Sequence, residues 1–224
     1  MKRNKFLKSG VLGLGTMLTM PTVLTACDKN SSDPNDNTGC TTTPSETKGP
    51  FPIKTPSQLV QANIKSDRAG VALLMNITVQ NKNNSCSPLA GVLVDVWHCD
   101  KDGDYSEYGS SATLHFLRGR QTTDANGNVS FLSVYPGWYN GRAPHIHVEV
   151  LSSSGSSLLV TQIAFPENIS SVVYASTLYS ANGQADTSNT SDNIFANSLS
   201  SELSTVAGNV ADGYTLEKII VVNG

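Results

Sequence analysis

Charge is scarce in this chain. Its 15 basic and 18 acidic side chains make up 15% of the 224 residues and leave a net charge of −3. A soluble domain usually carries about a quarter. So few cations cannot form the dense basic surface that a phosphate backbone requires, which excludes nucleic acid as a partner. No internal apolar run is long enough to span a membrane. The four cysteines, at 27, 40, 86 and 99, contain no C-x-x-C spacing, which argues against a thiolate zinc site. There is no internal repeat and no long segment of 3.6-residue periodicity, so a helical bundle is excluded as well.

The N-terminus reads as an address. Lys2, Arg3, Lys5 and Lys8 precede the apolar stretch from Val11 to Leu24, and Asp28 is the first acidic residue. A basic head, a short apolar middle and small residues before a cut describe an export signal. Leu24-Thr25-Ala26-Cys27 resembles the bacterial lipobox, so Cys27 is the expected lipidation site. A plain secretory signal and a short membrane anchor are the alternatives. The expected organisation is an export signal over 1–26, then the lipidated Cys27 with a flexible tether over 27–45. The tether has almost no large apolar side chains with which to offset its ordering entropy. The folded domain then covers 46–224. The chain is expected outside the cytoplasm, touching a bacterial membrane through its lipid alone. There Cys40, Cys86 and Cys99 can form at most one disulfide. Three pairings are open, and Cys40 with Cys86 is the expected one, with Cys99 dispensable for the fold.

The domain reads as all-β, a sandwich of mainly antiparallel strands with one loop-rich face. Strands are expected over Gly91–Trp97, Val129–Val134, Pro144–Leu151, Leu158–Ala164 and Thr215–Val222. Asp124-Ala125-Asn126-Gly127 predicts a hairpin turn, and Ile169–Ser180 has room for a turn or two of helix.

His145-Ile146-His147 carries the first chemical signal. Residues i and i+2 of a strand share a face, so both imidazoles can reach one ion. Imidazole suits zinc, copper, iron and nickel alike. His98 and His115 have no such partner and read as structural. Tyr105 and Tyr139 lie in Gly- and Pro-rich loops, where a lone tyrosine is ordinarily a packed ring. Beside an H-x-H pair they acquire another meaning, because a trivalent cation stabilises the phenolate form and two phenolates with two imidazoles suit iron(III).

In this combination the chain resembles the intradiol ring-cleavage dioxygenases, the family of protocatechuate 3,4-dioxygenase and catechol 1,2-dioxygenase. The likeness runs in order through Glu46–Phe51 with its Gly49-Pro50 pair, Leu89–Ser106, Phe116–Asp124, Tyr135–Tyr139, Arg142–His147, and Leu159–Gln162 with Phe165-Pro166. It continues weakly through Asp192–Phe195 and Gly213-Tyr214, and so covers about 46–222.

The resemblance implies a non-haem iron(III) enzyme that inserts O2 into a small aromatic diol. The ring would be cleaved between its two hydroxyl-bearing carbons to a muconate-type diacid. It implies Tyr105, Tyr139, His145 and His147 as iron ligands, with Tyr139 the one that leaves when the catechol chelates. Arg142 would stabilise negative charge on the substrate. Gly49, Pro50 and Gln162 would lie about the substrate. Tyr108 is a rival to Tyr105 whose spacing from Gly103 fits less well. The stretch between Tyr139 and His145 is shorter than in the best-known cytosolic members, which bears on specificity. Two other classes are weighed against this one: a non-enzymatic β-sandwich lipoprotein that binds a ligand or partner, and a copper- or zinc-binding protein using only the H-x-H pair.

Overall fold

The computed structural model describes residues 39–224. The export signal and Cys27 lie outside the described residues. Among the described ones, no helix is long and apolar enough to cross a membrane.

Two sheets face each other. One holds β1 (Ala72–Asn81) at its centre, flanked on one side by β2 (Ser87–Pro88) and β5 (Asn128–Val134). On its other side lie β9 (Gly213–Val222) and then β8 (Thr205–Asn209). The other sheet runs β4 (Arg118–Thr122), β3 (Leu93–Trp97), β6 (His145–Leu151), β7 (Ser157–Ala164). Pairing is antiparallel except between β1 and β9. Short helices α1 (Glu167–Tyr174) and α2 (Leu199–Glu202) follow β7. The all-β sandwich expected from the sequence is therefore the architecture found.

The core forms where alternate residues of both sheets meet. Leu73, Met75, Ile77 and Val79 of β1 and Phe131 of β5 pack against Val94 and Val96 of β3 and Ile146, Val148 and Val150 of β6. Each fully buried aliphatic contributes about 1.5–3 kcal/mol. That sum fixes register, because a slip of one residue would carry this row outward and drive His145, His147 and Glu149 into the core. β6 is buried along its whole length. Its apolar side faces the core, and its polar side is covered by the segment 46–56 and the loops described below.

Two expectations need correction. The tether does not extend to residue 45. Cys40 is bonded to Cys86, and Thr43 exchanges hydrogen bonds with the Val221 backbone (3.0 and 2.9 Å). Glu46 N–H donates to Val160 O at 2.7 Å. Main-chain pairing holds this stretch, and a polar composition does not reveal that. The Asp124–Gly127 turn does form, with Gly127 N–H donating to Asp124 O. However, β4 pairs with β3 and β5 with β1, so the turn connects the two sheets and closes no hairpin. A turn signal fixes the local chain reversal and leaves open which strands pair beyond it.

Candidate active site

Strand register sets out a row on the outer face of the four-stranded sheet. Arg118, Trp97, His147 and Gln162 are successive cross-strand partners on β4, β3, β6 and β7. Trp97 stacks on His147 with centroids 5.0 Å apart and planes 2° from parallel. His145, two residues before His147, shares its face, and the two Nε2 atoms are 3.2 Å apart.

Two loops add tyrosines. The Tyr139 hydroxyl lies 3.2 Å from His145 Nε2. The Tyr105 ring lies edge-on to Tyr139 (5.9 Å) and to His147 (6.2 Å). The loops meet backbone to backbone: Gly137 N–H donates to Asp100 O. Gly103, at φ +93°, fits because a Cβ there would sit 2.6 Å from Trp138 O. Asp100 Oδ1 accepts from the amides of Asp102 and Asp104 and shapes the turn before Tyr105. Tyr174 and Tyr179 donate to the carbonyls of Pro136 and Tyr135, which fixes the approach to Tyr139. Phe51 stacks on Tyr105 at 4.7 Å. Tyr108 points elsewhere, its hydroxyl donating to Pro52 O.

Burial sets the protonation of this cluster. His145 Nδ1 donates to Ala143 O at 2.6 Å, which leaves the Nε2 lone pair facing the other donors. Burial, reinforced by Arg142, pushes His145 down to about 3. Burial and then His145 hold His147 well below the ordinary imidazole value. Both rings are therefore neutral. Burial likewise raises the Tyr105 and Tyr139 phenols, with Arg142 opposing the rise at Tyr139. Among the described residues, the Tyr105 hydroxyl and His147 Nδ1 are buried without a hydrogen-bond partner.

Arg142 Nε donates to Asp192 Oδ2 at 2.8 Å and its Nη2 to Gln162 Oε1 at 2.6 Å. Gln162 Nε2 in turn donates to Thr47 O. Gln162 thus reaches the site through Arg142 and the 46–56 segment. Burial raises the Asp192 carboxyl, but the Arg142 and backbone hydrogen bonds outweigh it and hold the group below its ordinary value. Gly49 lies against the His147 ring, and Pro50 beside it is exposed. Lys48 pairs with Glu149 at 2.6 Å.

The remaining candidates are structural. His98 is bonded to Ser133 and the Cys99 carbonyl, and burial pushes it to about 4. His115 pairs with Glu107. The reading of the sequence did not reach Trp97, Arg118 or Asp192 as parts of this site. Register could have placed the first two once the pairing of β3, β4 and β6 was known. Nothing local marks Asp192, fifty positions after Arg142.

The donor set fits a metal ion. Metal–imidazole bonds are about 2.0–2.1 Å long, so donors sharing one ion stand about 3 Å apart, close to the two 3.2 Å spacings observed. Partnerless buried polar atoms in a native protein call for an explanation, and a cation bound at this cluster would account for Tyr105 Oη. Among the described residues, no three His, Cys, Asp or Glu side chains gather as a metal site. An ion held at His145 and His147 would therefore take its further protein donors from the tyrosines.

Comparison with known proteins gives a consistent picture. A family model described as Dioxygenase matches residues 48–197. The chain is similar to chlorocatechol 1,2-dioxygenase of Rhodococcus opacus, 28% identical over 111 residues, 41% of this chain and 43% of that protein. It is 37% identical over 94 residues to catechol 1,2-dioxygenase 2 of Acinetobacter lwoffii, 34% of each chain. The matches thus span less than half the length of these relatives. Among solved structures, an intradiol ring-cleavage dioxygenase from Tetranychus urticae superposes with a TM-score of 0.73 at 27% identity, covering 82% of this chain and 95% of that one.

Proposed function

Because the chain belongs to the intradiol ring-cleavage dioxygenase family, we propose that it is an oxidoreductase that cleaves catechol-type diols with O2. The bond broken joins the two hydroxyl-bearing carbons, both oxygen atoms enter the product, and a muconate-type diacid results. The observation that carries this reading is the meeting of two neutral imidazoles and two phenols at one buried point.

Tyr105, Tyr139, His145 and His147 would hold a non-haem iron(III). When bound, the ion would supply charge that ionises the phenols and a centre that brings diol and O2 together. Tyr139 sits at the partly open edge of the cluster. It would yield its place to the diol and take up a substrate proton on its phenolate oxygen. Arg142 faces the same side and would stabilise negative charge on the bound diolate. Trp97 stacks on the His147 ring and Gly49 lies close against it, and both hold its position. Gly49 and Pro50 would form one wall of the substrate cavity, and Gln162 would steady Arg142.

The proposal includes export and a lipid on Cys27. The Cys40–Cys86 disulfide supports an oxidising compartment. Membrane partitioning of Cys27→Ser protein tests it, and unchanged partitioning would count against the anchor.

The enzyme reading is tested with iron-loaded protein and a panel of catechols, following O2 uptake. Iron(III)–phenolate protein is coloured by charge transfer, whereas a zinc protein is colourless. His147→Ala should lose iron and colour together. Arg142→Ala should keep both while turnover falls about 10²–10³-fold. Colourless protein that takes up no iron would defeat the reading.

A further inference from the structure

We infer that Asp192 is a positioning residue that aims Arg142 and fixes His145 through one carboxylate oxygen, an inference that rests on the proposed dioxygenase reading. Asp192 Oδ2 accepts from Arg142 Nε (2.8 Å) and from the neighbouring Ala143 N–H (2.7 Å). The Ala143 carbonyl accepts from His145 Nδ1 at 2.6 Å. A single oxygen therefore fixes the guanidinium on one side. On the other side it fixes the segment whose carbonyl sets the tautomer and ring plane of a proposed ligand. A hydrogen bond to the far nitrogen of a metal-binding imidazole is the usual means of orienting it.

The anchor is itself rigid. Asp192 is fully buried, and its other oxygen accepts from Ile194 N–H at 2.8 Å and caps its own turn. With Nε held by Asp192 and one Nη2 N–H by Gln162, the two N–H groups of Nη1 and the second of Nη2 are left for substrate. Misplacing such a group by about 1 Å can cost on the order of 10²-fold in rate. Asn at 192 keeps the size but offers the two N–H donors a weaker, uncharged acceptor. Its NH2 must then face either those donors or the amides of the turn.

The test compares four iron-loaded proteins: wild type, Arg142→Ala, Asp192→Asn and the double variant. Three quantities are read: O2 uptake with catechol, visible colour, and 4-nitrocatechol affinity without O2. Asp192→Asn should remain coloured, with turnover down about 10²-fold and weaker binding of the analogue. The double variant should match Arg142→Ala within about twofold, because Asn still accepts from the Ala143 N–H and keeps the His145 side in place, so the loss of turnover runs through Arg142. Two results overturn the inference. One is Asp192→Asn behaving as wild type; the other is Asp192→Asn lowering turnover in the Arg142→Ala background by the same factor as in wild type. If Asp192→Asn does not fold, Asp192→Glu keeps the charge and moves the oxygen. Non-additivity with Arg142→Ala is expected there too, and additivity overturns the inference. Wild-type protein with no colour and no O2 uptake would defeat the dioxygenase reading itself. Coloured, active wild type with independent effects would defeat only the role of Asp192.

Discussion

Replacing Arg118 with Met should unfold the site before it unfolds anything else. Arg118 is fully buried and donates three hydrogen bonds: Nε to Ser106 Oγ (2.8 Å), Nη2 to Ser106 O (2.6 Å) and Nη1 to Phe51 O (2.9 Å). Glu107, its carboxylate 3.6 Å away, is buried too. One guanidinium thus ties the loop that carries Tyr105 to the segment whose Phe51 stacks on Tyr105. Met fills similar space but leaves two carbonyls unpaired and a buried carboxylate short of its cation. Three charge-assisted bonds at about 1.5 kcal/mol each give roughly 4–5 kcal/mol. Breaking a buried ion pair from one side costs about 3–5 kcal/mol. These describe largely the same loss and do not add, so about 4 kcal/mol is expected. Lys keeps the charge and some of the bonds and should cost about half as much. Urea unfolding of the metal-free protein measures both, and iron retention reports on Tyr105. A Met variant within 1 kcal/mol of wild type would refute the reasoning.

Gly49→Ala should weaken iron binding and cost about 1–2 kcal/mol, because the backbone at φ +67° disfavours a side chain. Its Cβ would also press to 2.9 Å from His147 Cε1. Unchanged melting and iron stoichiometry would count against this account of the close approach. Removing the Cys40–Cys86 disulfide frees a loop of 46 residues, a loss of about 4 kcal/mol by chain entropy and typically 2–4 kcal/mol in practice. The shift in denaturation midpoint of the double Ser variant checks it, and no shift would mean that the Thr43 and Glu46 backbone bonds alone hold the segment. Burial raises the Glu202 carboxyl to about 7 from an ordinary 4.5, opposed by the Ser198 hydroxyl and Lys218 and reinforced by Glu46 and Asp192. Below pH 4.5 the group is protonated whether folded or not and costs nothing. Between 4.5 and 7 only the unfolded chain ionises. Stability should therefore fall as pH rises through that window, by up to about 3 kcal/mol. Metal-free Glu202→Gln protein should lack this slope in urea titrations, and a slope equal to wild type would refute the assignment.

What could be read from the sequence followed from local geometry. The period of two along His145–His147 placed both imidazoles on one face, and that face is where they lie. The β-branched run before Trp97 gave β3, and the resemblance placed Tyr105 and Tyr139 before any contact was known. What could not be read was long-range. β1 pairs with β9 across the whole domain, and no local pattern announces that. Thr43 looked like tether because its two hydrogen bonds are to a backbone 178 residues away. Nothing local marks Arg118 as a tie at the site, since its partners Phe51 and Ser106 belong to two separate loops. Asp192 sat in a segment of weak likeness, and its importance follows only from which two donors its oxygen meets.

Charge on the outer face of the four-stranded sheet is sorted by distance from the donors, and that sorting bears on which ion the site suits. One row away from His147, Asp95 is held by Arg120 through two bonds (2.6 and 2.7 Å), and Glu149 is matched by Lys48. These pairs cancel, so they cover a polar strand face and leave little net field at the cluster. Arg142 is paired with Asp192 but still acts on the cluster, where its charge lowers His145 and His147. The cluster itself offers two neutral imidazoles and two phenols that burial keeps protonated. Ionising both phenols would neutralise a divalent ion entirely and leave Arg142 alone to attract an anionic diol. A trivalent ion would retain one positive charge. A dianionic diol that displaced Tyr139 as a neutral phenol would then bring the centre to zero, with Tyr105 as the remaining phenolate. In a site this buried, a centre that ends neutral avoids the desolvation cost of an uncompensated charge. The donor set, two phenols beside two neutral imidazoles, is therefore consistent with the proposed trivalent ion and with a substrate that arrives with two ionisable oxygens.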